Sequence, residues 1–473
     1  MKRYYKIQPS LFFDSNNSGF GDYNGVIQKI NVISKLDLTY VILPNPLSIY
    51  KSSFIEEIVS NENKYGTFED FKNLIENLNK NKLKSLIEID LSKINEIIVW
   101  YNNLQDRFQI NKNDVVAKEY ADIDKTESFY ISENTYVLPF AKQVNEQGQK
   151  FLEILHYFLD LGVYGFVFKD FSEEKINNNH NWIEFLKSVY GDLKTLNELT
   201  SIIFEVPLNK LRQLKYLRGA IFDDILITQI NNLTKHNFVR KIKKVIKADC
   251  IINLTHLNHN RVLRTLFSNY YLNTEISKLL LGLVLLIKEK QFIYFGDEIG
   301  LNLFSEAEPE FSVDMFLKNF FKPKNQKLVF TWNSNENSGF SDARDIVGIY
   351  DQSYKNNNHK VQRNEPNSTL HFYKKLITFS NNETYQKLLK NARIKVTGFF
   401  NLLKIKIIGL DYSIIIFANL DIRKKYVKKF DTQNMIFSNY NIDIKTIKNK
   451  NFINPYEIVA YIDNPYFKDE LIW

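Results

Sequence analysis

A (β/α)₈ barrel followed by an all-β terminal domain is the fold the sequence predicts, on three observations. Short β-branched and aromatic runs alternate with amphipathic helical stretches over the first two-thirds of the chain. Those runs number eight. From about residue 394 onward the apolar period changes from helical to two.

Taken in order, the predicted barrel strands are 5–13, 40–43, 85–89, 165–168, 201–204, 219–222, 250–254 and 292–295. Between the first two, Val26, Ile27, Ile30, Ile33 and Leu36 recur at helical spacing and predict a helix over 26–36. Before the third, Thr67 can cap a helix while Asp70 reaches back to it, with Phe68, Phe71, Leu74, Ile75 and Leu78 turned inward. Residues 151–161 and 275–288 read as helices in the same way. The polar segment 102–142, rich in Asn, Asp and Lys, interrupts the alternation after the third strand and reads as an excursion. Strands at 402–408, 412–418, 435–438 and 456–462 build the terminal domain. The predicted organisation is thus a barrel in two parts, 1–101 and 143–390, an insertion at 102–142, and a C-terminal domain at 391–473.

Composition excludes several classes. With 44% hydrophobic and 25% charged residues the chain is globular, not disordered. The net charge of +8 comes from Lys and Arg spread along the chain, which reads as a solvated basic surface and not as a nucleic-acid site. A single cysteine, Cys250, excludes an internal disulfide framework and fits a reducing compartment. The first residues lack an apolar signal core, and the run 279–287 is far short of the ~20 residues a membrane span needs. A cytoplasmic protein with no membrane span is the expectation.

Six motifs occur in order: "DSNNSGFGDYNGV" from Asp14, "YGTFEDF" from Tyr65, "LDLGVYGF" from Leu159, "FIYFGDEIG" from Phe292, "FTWNSNENSGFS" from Phe330 and "EPNSTLHFYKKLI" from Glu365. On these the sequence resembles the α-amylase family of glycoside hydrolases, in its oligo-1,6-glucosidase, α-glucosidase and trehalose-6-phosphate hydrolase branch. The resemblance implies a barrel with an inserted domain after the third strand and a C-terminal β-sandwich. It also implies retaining cleavage of α-glucosidic bonds, with an Asp nucleophile ending strand four and a Glu acid/base ending strand five.

Carried over residue by residue, that site is incomplete. The family's Gly-Phe-Arg-x-Asp reads Gly165-Phe166-Val167-Phe168-Lys169, so Lys169 takes the nucleophile position and Val167 that of the orienting Arg. An ammonium there opposes the cationic transition state of glycoside cleavage. Asp170 is the neighbouring substitute, but on a regular strand it faces the other way unless a bulge turns it. Glu205 keeps the acid/base position. The strand-seven motif Asn-His-Asp-Gln-Pro-Arg falls within "NLTHLNHNR" (253–261). Aligned on Arg261 without a gap, the Asp position is Asn258; with a two-residue deletion, Asn258-His259-Asn260 is the counterpart. Both alignments remove the third carboxylate and leave His256 or His259 as a sugar contact. Asp90 remains after strand three, while Ser53-Phe54 replace the pocket's Tyr-Asp pair.

The expectation is a catalytically inactive or strongly impaired relative, a pseudoenzyme that keeps the barrel as a scaffold for small α-glucosides or a protein partner. The alternatives are an α-glucosidase with a rearranged site, Glu205 as acid/base and Asp170 as nucleophile, and a non-catalytic partner subunit. The opening loop carries a separate expectation. In the branch named, Asp-x-Asn-x-Asp-Gly-x-x-Asp holds Ca²⁺; here Asp14, Asn16, Asp22 and the Phe20 carbonyl position persist, while Ser18 replaces the middle Asp. Losing a charged ligand weakens such a site. The loop is either a weakened structural Ca²⁺ site or a hydrogen-bonded turn with no ion.

Overall fold

The computed structural model describes residues 1–46, 66–94, 97, 140–169, 180–230, 233–254, 256–257, 260–261, 272–301, 328–440 and 449–471. Most of the expected insertion (102–142) lies outside them, as do Ser53, Phe54, Asp170, Asn258 and His259.

Eight parallel strands close into a barrel: β1 (Lys2–Lys6), β2 (Tyr40–Leu43), β3 (Lys84–Asp90), β4 (Gly165–Lys169), β5 (Ser201–Pro207), β6 (Asp224–Gln229), β7 (Ile251–Ile252) and β8 (Lys290–Tyr294). Each pairs with its neighbours in sequence, and β8 closes on β1. The strands are apolar on both faces because helices cover the outside while side chains fill the inside.

Two predicted strands are corrected. Strand one ends at Lys6 because Pro9 opens a 3₁₀ turn, Pro9–Leu11, and proline has no N–H to give a sheet. Strand six lies at Asp224–Gln229, not at 219–222. Gly219 adopts φ +77° and donates its N–H to the Phe222 carbonyl, so "GAIF" is a turn feeding the strand.

Among the helices, α1 (Tyr23–Gln28) starts earlier than its apolar spacing predicts because the Asp22 carboxylate accepts from Gly25 N at 2.6 Å and caps it. Helix α2 (Phe68–Lys80) has the expected capping box. Asp70 N donates to Thr67 Oγ1 at 3.1 Å, and Thr67 N donates back to the Asp70 carboxylate at 2.7 Å. Phe71, Leu74, Ile75 and Leu78 are fully buried, and Phe68 is half-buried. Helices α3 (Phe140–Asp160), α4 (His180–Leu196), α5 (Lys235–Lys247) and α6 (Asn273–Leu285) follow around the barrel, then α7 (Thr369–Asn381) and α8 (Glu383–Asn391).

The terminal domain holds β9 (Arg393–Phe399), β10 (Leu402–Ile408), β11 (Ser413–Asn419), β12 (Lys425–Asp431), β13 (Met435–Ser438), β14 (Asn449–Ile453) and β15 (Ile458–Ile462). A five-stranded antiparallel sheet, ordered β9-β10-β11-β15-β13, accompanies the ribbon β12-β14. This domain packs on α6 so closely that a Cβ on Gly282 would sit 2.8 Å from Ile458 Cδ1. Asn439 secures the seam, donating to the Glu275 carboxylate at 2.8 Å and accepting from Ile458 N.

Candidate active site

Alternation along the strands sorts the barrel interior into layers. Tyr4, Tyr40, Ile42, Leu86, Val167, Ile203, Leu226, Ile251 and Phe292 form one apolar cluster inside the sheet. Two residues further along four of those strands come Lys6, Glu88, Lys169 and Glu205, at the C-terminal mouth where barrel chemistry sits. Val167, which the motif alignment sets against the family's orienting Arg, belongs to the apolar layer and is fully buried.

The four mouth residues are joined by charge. The Glu88 carboxylate accepts from Lys6 Nζ at 2.5 Å and lies 2.6 Å from Lys169 Nζ through the same oxygen. Lys169 Nζ also faces Glu205 Oε2 at 3.9 Å. The other Glu205 oxygen accepts from Thr228 Oγ1 at 2.6 Å. Oε2 is buried and has no hydrogen-bond donor among the described residues.

Burial works against charge at Glu88, but Lys169 and Lys6 outweigh it and hold this carboxyl below its ordinary range. Burial likewise opposes the Lys6 ammonium, and Glu88 with Glu205 more than compensates, leaving its pKa raised. At neutral pH, Lys6 and Glu88 are therefore an ion pair.

Lys169 and Glu205 are thus brought together at the mouth. Asp90, paired in register with Lys169, is half-buried and turned to its own loop: one oxygen accepts from Ser92 N at 2.9 Å and Ser92 Oγ at 2.6 Å, and Lys93 lies 3.9 Å from the other. His256 and Arg261 pair across a short antiparallel hairpin, His256–Leu257 with Asn260–Arg261, that begins four residues beyond the end of β7. Asn253, next after β7, is buried and donates to the Asp297 carboxylate at 3.1 Å.

Lys6, Glu88 and Thr228 are the site residues that motif matching misses. The signal for Glu88 is present in the sequence: in "KSLIEID" a charged residue takes an inward position of an otherwise apolar parallel strand. Such a residue needs a counter-charge, and only the closed sheet shows that it comes from β1 and β4.

The loop 14–22 is built differently. Asp14 Oδ1 accepts from Asn16 N at 3.1 Å and Ser18 N at 3.3 Å; Oδ2 accepts from Gly19 N at 2.8 Å and Ser341 Oγ at 2.6 Å. A carboxylate offers about four acceptor sites, so Asp14 has none to spare. Asp22 accepts from Ser15 N, Ser15 Oγ and Gly25 N. Ser18 Oγ donates to the Phe20 carbonyl at 3.3 Å. In this arrangement the Asp14 and Asp22 carboxylates are engaged by hydrogen bonds within the chain, the second of the two readings of the loop.

Around the loop, Gly19 adopts φ +83° and its Cα approaches Asp345 so closely that a Cβ would meet that carbonyl at 2.1 Å. Trp332 Nε1 donates to the Phe12 carbonyl at 2.7 Å, and Phe12, Phe330 and Trp332 pack ring against ring. The loop is a brace tying β1 to the segment 328–347.

Comparison with known proteins agrees with this fold. Residues 6–168 and 201–388 match the family described as "Alpha amylase, catalytic domain". The match pauses one residue before Lys169 and resumes at the first residue of β5. Oligo-1,6-glucosidase of Parageobacillus thermoglucosidasius is 23% identical over 491 residues, covering 84% of each chain. Alpha-amylase 3 of Dictyoglomus thermophilum is 23% identical over 488 residues, covering 96% of this chain and 92% of that one. The crystal structure of Bacillus licheniformis trehalose-6-phosphate hydrolase superposes with a TM-score of 0.69 at 16% identity over 98% of both chains, a likeness of fold. With three-quarters of its length matched and a closed eight-stranded barrel under its motifs, this chain belongs to the α-amylase family of glycoside hydrolases.

Proposed function

We propose that this chain is a non-hydrolysing member of its family, a cytoplasmic pseudoenzyme that keeps the barrel as a scaffold for a small α-glucoside or a protein partner. One observation carries the reading: the Lys169 ammonium stands at the nucleophile position, 2.6 Å from the Glu88 carboxylate and 3.9 Å from Glu205. Retaining hydrolysis needs two carboxyl groups about 5–5.5 Å apart, one to attack and one to protonate. Here one partner is a cation. It has no lone pair to offer while protonated, and it repels the positive charge that develops on the sugar. Its counter-ions are already in contact, so substrate carboxylates or phosphates are not required to neutralise it.

The test is release of 4-nitrophenol from its α-glucoside, and of glucose from maltose and isomaltose, by purified protein. No turnover dependent on Glu205 is expected. Hydrolysis that disappears in Glu205→Gln would overturn the reading. Its further loss in Asp170→Asn would establish the rearranged α-glucosidase instead.

A further inference from the structure

Basic residues are spread along the chain, with short clusters such as 240–244 and 423–429. Residues 423–429 read Arg-Lys-Lys-Tyr-Val-Lys-Lys and lead into and along β12. Lys425 is paired with Asp421 at 2.7 Å. Arg423, Lys424 and Lys428 are exposed, and among the described residues no carboxylate lies within ion-pairing distance of them.

Large apolar side chains stand exposed in the same place. Ile422 is 51% exposed and Tyr426 79%. Phe400, 74% exposed, occupies the β9–β10 turn, which is bound to this stretch by a 2.8 Å hydrogen bond from Leu420 N to the Asn401 carbonyl. Phe400 has φ +43° and Asn401 φ +63°. The left-handed turn is an uncommon conformation for a bulky residue, and in it Phe400 keeps most of its side chain at the surface. The turn presents an aromatic ring to the outside.

Apolar tips flanked by uncompensated cations suit an anionic lipid surface. Phe and Ile enter the headgroup and acyl boundary, Tyr sits at the interface, and Lys and Arg stay with the headgroups. Single-stranded nucleic acid would use the cations and Tyr426 but leave Ile422 idle. We propose that the 400–401 turn and residues 422–428 seat this protein peripherally on an anionic membrane surface. No helix among the described residues is long and apolar enough to cross a membrane. Lys424 is already held over the Phe452 ring at 4.8 Å, which presents its charge on the same face of the ribbon as Tyr426, the register partner of Phe452.

The experiment is co-sedimentation of the full chain with phosphatidylcholine vesicles, with and without about one-third phosphatidylserine. Binding to the anionic vesicles alone is expected, falling as salt is raised in the unmodified protein. Each of Arg423→Gln, Lys424→Gln and Lys428→Gln should weaken it about fivefold. The double variant Phe400→Ser/Ile422→Ser should weaken it at least about tenfold with an unchanged melting temperature, since both side chains are exposed. Equal binding to neutral vesicles, no binding to either, or binding of oligothymidylate in preference to anionic vesicles would overturn the proposal.

Discussion

The brace after β1 and the mouth of the barrel lie at the same end of the strands and solve the same problem, buried carboxylates, in opposite ways. In the brace, Asp14 and Asp22 are satisfied by backbone N–H groups and Ser hydroxyls. In the mouth, Glu88 is satisfied by two ammonium groups from other strands. Backbone donors come with the fold and survive changes of side chain. Charge partners depend on particular residues at distant positions, as Lys6, Glu88 and Lys169 come from three different strands. The loop's hydrogen bonds thus tolerate change at single side chains, while the mouth depends on Lys6, Glu88 and Lys169 being present together.

The comparison breaks most readily at Glu88. In Glu88→Gln, Lys6 and Lys169 lose their shared counter-ion in a site where Lys6 is 18% and Lys169 28% exposed. Removing one partner of a buried pair costs roughly 3–5 kcal/mol, and the partial access of water places this case near about 3 kcal/mol. Chemical denaturation reads that loss. The triple variant Lys6→Met/Glu88→Leu/Lys169→Met removes all three charges together and should recover most of it. If the single change is silent, the mouth is not held by charge.

A pH titration sharpens the contrast from the side of the brace. His359 packs against Trp332, with ring centroids 5.6 Å apart, and burial together with Arg363, Lys374 and Lys29 pushes its pKa down to about 4. The unfolded chain binds this proton from about pH 6.5 and the folded chain only near 4, so stability falls as pH drops through that interval. The loss reaches about 3 kcal/mol at its largest. Glu88 behaves otherwise. Its lowered pKa gives stability that is present above about pH 4.3, the unfolded value, and lost below it. Lys6, raised, keeps its contribution up to about pH 10.4. The slope between pH 6.5 and 4 should therefore flatten in His359→Phe and persist in Glu88→Gln.

How much of this was legible in the sequence depends on whether a signal is local. The Thr67–Asp70 capping box, the apolar face of α2 and the terminal strands at 402–408 and 435–438 depend on neighbours within a few residues and appear where their patterns place them. The strand expected at 456–462 begins only at Ile458, and the strands at 393–399, 425–431 and 449–453 lack so clear an alternation. Strand six was misplaced because "GAIF" and "DILIT" are equally apolar; the left-handed Gly219 decides between them, and glycine content alone does not reveal its φ. Lys169 was found by motif position. Its partners Lys6 and Glu88, 163 and 81 residues earlier in the chain, became partners only when β1, β3 and β4 met in the barrel. Thr228 beside Glu205 required the true register of β6.

The smallest expected effect concerns calcium. If Asp14 is filled by its four protein donors, a cation has to displace hydrogen bonds already made, and millimolar calcium should leave the melting temperature unchanged. The measurement is discriminating because linkage is steep: ligand at a hundred times its dissociation constant stabilises by about 2.7 kcal/mol, a shift no melting curve would miss. An unchanged curve at millimolar calcium therefore excludes micromolar affinity. Asp14→Ala supplies the positive control for the brace. It leaves Asn16 N, Gly19 N and Ser341 Oγ without this acceptor, while Ser18 N keeps its bond to Asn16 Oδ1, and should cost about 2 kcal/mol, because water can reach some of these groups but not all. A calcium-dependent rise in melting temperature that Asp14→Ala abolishes would show that the loop rearranges to admit an ion, and the brace would then share the mouth's dependence on charge.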